Sequence, residues 1–97
     1  MPNESVCLEM VPRQSEDVIW RNIAGEVVIA DRDNGTIRVL NKTASAIWCL
    51  LDGRNDISNV ASKLSDTFNT EPDVAERDSL DFCQQLLDGG LLSVKGA

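Results

Sequence analysis

From Asp17 onward the apolar and polar positions follow two periods in turn. Val18, Trp20 and Asn22 alternate with Ile19, Arg21 and Ile23, the period of two that marks a strand. Gly25 interrupts the run, and the β-branched stretch Glu26-Val-Val-Ile-Ala30 predicts a second strand. Asp33-Asn34-Gly35 comes next. Asn-Gly between apolar runs marks a hairpin, because a type I′ turn needs positive φ at both central residues. Thr36-Ile-Arg-Val-Leu40 predicts a third strand, completing an antiparallel meander.

At Asn41 the period becomes helical. Asn41 is a candidate N-cap, and Ala44, Ile47, Trp48 and Leu51 fall on one face, with Asp52-Gly53 as the stop and Gly53 in the left-handed position. Asp56 caps a second helix whose stripe is Ile57, Val60, Ala61, Leu64 and Phe68. The third opens at Thr70-Glu-Pro-Asp73, where Thr70 and Asp73 have capping-box spacing and Pro72 sits in the first turn. Its stripe is Ala75, Phe82, Cys83, Leu86 and Leu87, ending at Gly89-Gly90. Leu91 to Val94 is a short extended piece that folds back on the core. The reading is an α+β, winged helix-turn-helix-like fold of order β-β-β-α-α-α. Residues 1–12, without usable periodicity, form a mobile arm, and 13–97 form a single domain.

Composition narrows the chemistry. With 97 residues, 42% of them hydrophobic, the chain supports one modest core. Its apolar runs are too short to span a membrane, and Met1 to Met10 lacks the pattern of a signal peptide, so a soluble cytoplasmic protein is expected. Nine basic residues against 16 acidic ones give −7, which repels nucleic acid. Histidine is absent, which removes Ser-His-Asp and Cys-His nucleophile activation and imidazole metal ligation. Cys7, Cys49 and Cys83 are widely spaced, so they read as free thiols, with Cys49 and Cys83 as core filler. No catalytic residue, cofactor or metal site is expected.

The block Val39-Leu-Asn-Lys-Thr-Ala44, then Ile47-Trp48, Leu50-Leu-Asp-Gly53, Val60-Ala61, Leu64, and Asp78 through Gly90-Leu-Leu92 resembles the pyrroloquinoline quinone biosynthesis protein D (PqqD) family. The chain departs from that pattern at Asn59, Ser79 and Cys83. The resemblance implies a precursor-peptide recognition element. Such proteins bind the leader region of a ribosomally made peptide and present it to a radical S-adenosylmethionine maturase. The peptide adds as a strand beside the third β-strand and lies in a groove against the third helix.

These expectations fix the candidate site. On the third strand Ile37 and Val39 share one face and Arg38 the other, and a free edge there accepts another chain through its main chain. On the third helix Asp78, Asp81 and Gln85, spaced by three and four, rim the groove and accept hydrogen bonds from the peptide. The protein is expected to be a monomer or weak homodimer with no membrane partner. Two other classes fit parts of the sequence: a DNA-binding winged helix and a small-molecule (quinone) binder.

Overall fold

The computed structural model describes residues 6–31 and 35–95. Its elements are β1 (Val11–Gln14), β2 (Ile19–Ile23), β3 (Glu26–Asp31), β4 (Thr36–Val39), α1 (Lys42–Leu50), α2 (Ile57–Phe68), α3 (Pro72–Asp88) and β5 (Leu92–Lys95). This is an α+β fold. The strands form two antiparallel sheets, β2-β3-β4 and β1-β5, where the sequence pattern predicts only the first.

Ala24 and Gly25, both at positive φ (53° and 89°), make the two-residue turn between β2 and β3. Asn22 Oδ1 accepts from the Gly25 N–H at 3.0 Å, fixing that turn. At the β3–β4 turn Gly35 has φ +65°, whereas Asn34 lies outside the described residues. Register pairs Val28 with Val39, Ile29 with Arg38 and Ala30 with Ile37. Because side chains alternate across a strand, Val27 and Ile29 point into the core while Ile37 and Val39 stand on the outer face.

Asn41 caps α1, its Oδ1 accepting from Ala44 N–H at 2.8 Å, and Asp56 caps α2, its Oδ1 accepting from Asn59 N–H at 2.7 Å. Both follow from acceptor side chains meeting unpaired first-turn donors. At α3 the predicted capping box is absent. The helix begins at Pro72 with Glu71 as N-cap, so Thr70 lies one residue too early, and its hydroxyl donates to Phe68 C=O instead. Gly53 is left-handed (φ +81°), but α1 already ends at the Leu51 cap two residues before it.

The core gathers Val27, Ile29, Ile47, Trp48, Leu51, Ile57, Val60, Leu64, Cys83 and Leu86. Trp48 is fully buried, and Trp20 packs edge to face against it at 6.0 Å between ring centroids. Phe68, expected on the core stripe, is 36% exposed because it falls on the last residue of α2. Cys49, expected as core filler, is exposed: it lies one position past the buried Ile47-Trp48 pair, so the helix turns it outward. Ser79, by contrast, is fully buried, with no hydrogen-bond partner for its hydroxyl among the described residues.

Residues 6–12, read from the sequence as part of a mobile arm, are packed against the rest of the chain. Val6, Leu8 and Met10 pack on the core, and β1 pairs with β5. Leu8 and Met10 carbonyls accept from the Ser58 and Ile57 N–H groups, satisfying the otherwise orphaned first turn of α2. The arm's pattern is invisible to a periodicity search because its fixing contacts are backbone bonds to distant segments.

Two outcomes follow from this packing. Trp48→Ala removes the largest buried side chain and should cost about 3–5 kcal/mol in urea unfolding, a large part of a total near 5–15 kcal/mol. Burial pushes the Cys83 thiol up to about 12. A disulfide reagent in mildly alkaline buffer should therefore titrate Cys7 and Cys49 in the native protein, and Cys83 only after denaturation.

Candidate peptide-binding site

β4 occupies an edge of its sheet, paired with β3 on one side only among the described residues. The direction of its backbone groups is fixed by one bond: Leu40 N–H donates to Val27 C=O at 2.8 Å. N–H direction alternates along a strand. Arg38 N–H therefore points toward β3, and the N–H groups of Ile37 and Val39 point to the open edge.

The junction of β4 with α1 depends on Ser45, a buried residue that the sequence pattern did not single out. Its Oγ accepts from Val27 N–H at 2.8 Å and donates to Leu40 C=O at 3.2 Å. The hydroxyl thus stands where the second ladder bond of the Val27–Leu40 pair would otherwise form. It lets the chain leave the sheet at Leu40 and enter α1 immediately, with Val27 N–H and Leu40 C=O both satisfied.

That turn brings the start of α1 alongside α3. Between them lies an open groove of about 390 Å³, lined by Asn41, Thr43, Ala44, Ile47, Asp78, Asp81, Phe82 and Gln85. Asp78, Asp81 and Gln85 thus share one groove wall. Phe82 and Ala44 are half-buried, and with the buried Ile47 they give the groove its apolar part. Neither Asp78 nor Asp81 has a hydrogen bond or ion pair among the described residues, and no Lys or Arg lines the groove.

The other three candidates lie on β4 and do not line that groove. Ile37 instead borders a shallow apolar hollow of about 180 Å³ on the outer face of the sheet, with Ile19, Trp20, Ile23, Val28 and Ala30. Val39 is 65% exposed on that same face, and Arg38 is exposed on the opposite one. Sequence reasoning missed Thr43 as a lining residue and read Asn41, Ala44, Ile47 and Phe82 as cap or core. The spacing of 78, 81, 82 and 85 is one continuous helix face, and it held the signal for Phe82. Among the described residues no group of three or more His, Cys, Asp or Glu is placed to hold a metal ion, and no helix is long and apolar enough to cross a membrane.

The coenzyme PQQ synthesis protein D (PqqD) family model matches residues 26–92. The match begins at β3, runs through all three helices and ends at the start of β5, so the chain belongs to this family. Three solved structures are similar. One is TbiB1 in complex with the TbiA(beta) leader peptide, with a TM-score of 0.78 and 26% identity over 88% of this chain and 99% of that one. A lasso peptide synthetase B1 complexed with its leader peptide shares the fold, with a TM-score of 0.75 and 24% identity over 86% and 98% of the two chains. The third is the PqqD truncation of Methylobacterium extorquens PqqCD, a stand-alone recognition element for ribosomally synthesized and post-translationally modified peptides. It has a TM-score of 0.69 and 28% identity, over 86% of this chain and 88% of that one. No curated protein matches the chain.

Ser45→Ala tests the junction. It leaves Val27 N–H and Leu40 C=O without their shared partner, and should cost about 1–3 kcal/mol in chemical denaturation. A variant as stable as the parent would mean that the two groups close on each other directly.

Proposed function

We propose that this protein is a non-catalytic adaptor. It captures the leader segment of a ribosomally made precursor peptide and presents the peptide to its modifying enzyme, a radical S-adenosylmethionine maturase. In this reading the leader pairs with β4 and lies against α3, on a winged-helix-like scaffold that works in the cytoplasm without a cofactor. The observation that supports it most is the open edge of β4 beside a groove walled by α3. Main-chain bonds along such an edge supply affinity, and neighbouring side-chain sites supply selectivity. The leader-peptide complexes among the similar structures support the same reading.

The test is calorimetric titration of the cognate leader peptide, with circular dichroism as a check on folding. Val39→Pro removes an N–H that faces the open edge, while proline keeps a φ that an edge strand tolerates. It should abolish leader binding and leave the fold intact. Arg38→Pro removes an N–H directed at β3 and should damage the sheet itself. A Val39→Pro protein that binds the leader as tightly as the parent would show that the peptide does not pair with β4.

A further inference from the structure

We propose that the peptide taken by this protein carries a defined alternation: two aliphatic residues separated by one position, flanked on one side by a Lys or Arg that enters the groove between Asp78 and Asp81. The proposal deepens the adaptor reading and rests on it in one respect, the pairing of the peptide with β4.

The aliphatic pair follows from β4. Ile37 and Val39 are the most exposed large hydrophobic residues of the described chain, at 72% and 65%. Both stand on the outer face of the sheet, and the backbone of both faces the open edge. A strand added there places its side chains directly opposite them, within cross-strand contact distance. Two aliphatic residues at that spacing would cover the exposed pair, whereas polar ones would leave both in water.

The cation follows from the opposite face. The residues of the added strand that lie between and beyond the aliphatic pair point toward the helices, on the side of Arg38 and Leu40. Past Leu40 the chain enters α1, and Asn41 and Thr43 already belong to the groove. Its carboxylates, Asp78 and Asp81, have no compensating charge there. Alongside them Ala44, Ile47 and Phe82 offer an apolar surface for a methylene stem. A Lys or Arg satisfies both halves, laying its stem on the apolar part and its charge on the carboxylates. Arg38 fixes the position. A cation opposite it would meet like charge, so the basic residue belongs at the Leu40 end of the strand. The signature is therefore aliphatic–any–aliphatic–basic, or its reverse if the strand runs the other way.

A displayed library of random short peptides, selected against the purified protein, tests this. Selected sequences are expected to share the signature in one orientation, to bind far more weakly to Val39→Pro, and to lose the basic position when selected against Asp81→Lys. Selection against an Ile37→Ser, Val39→Thr double variant should lose the aliphatic pair and keep the basic residue. If binders are lost on Val39→Pro yet lack the signature, or carry basic residues spread evenly as net charge alone would favour, the inference is overturned while the adaptor reading stands. A library that yields no binders, or binders indifferent to Val39→Pro, overturns both.

Discussion

A single buried hydroxyl sets the geometry on which the site depends. Ser45 Oγ joins Val27 N–H to Leu40 C=O, and so occupies the place of a ladder bond between β3 and the end of β4. A direct bond at that pair would let the ladder continue; the inserted hydroxyl ends it and anchors the first turn of α1 to the sheet. Asn41 then caps the helix from the residue after Leu40, so the switch from strand to helix takes one position. Groove residues Asn41, Thr43, Ala44 and Ile47 reach α3 because the helix starts there and nowhere later. The Ser45 hydroxyl uses both its donor and its acceptor role, unlike that of the buried Ser79, which has no partner among the described residues.

The remaining stitching ties the N-terminal segment to β5, α1 and α2. The N-terminal segment pairs with β5, and its carbonyls accept from the N–H groups of the first turn of α2. Gln14 Nε2 donates to Trp48 C=O at 2.8 Å, fastening β1 to the far end of α1. None of these bonds involves β4. Among the described residues β4 therefore keeps its outward N–H and C=O groups; it has no proline, and one charge, Arg38, on its inward side. Unpaired groups along an edge can accept another strand, which is the use proposed for this surface.

Much of this was legible in the sequence, for reasons that differ by element. The period-two runs and the Asp56 and Asn41 caps act locally, so β2, β3, β4, α1 and α2 could be read directly. The acidic wall of the groove was legible too, because 78, 81 and 85 share a helix face whatever the helix packs on. What escaped depends on contacts between distant residues. Residues 6–14 have no period of their own and are held by bonds to α2, β5 and α1. Ser45 looks like any polar residue inside a helix until β3 is placed against it. Thr70 was misread for a local reason, since a box at the right spacing lies one residue too early once Pro72 takes the first helical position.

Three helices beside a small sheet suit more than one ligand, so the scaffold alone does not choose between nucleic acid and peptide. The surface of α3 does bear on the choice. It carries Asp73, Glu76, Asp78, Asp81 and Asp88 against one base, Arg77. A helix of that charge laid against phosphates would meet repulsion where binding needs counterion release. The same carboxylates beside an open strand edge favour a partner that supplies backbone groups and, locally, positive charge. A peptide offers both. Specificity would then come from the groove wall and affinity from the edge, so changes on α3 could retune which peptide binds without disturbing the bonds that hold it.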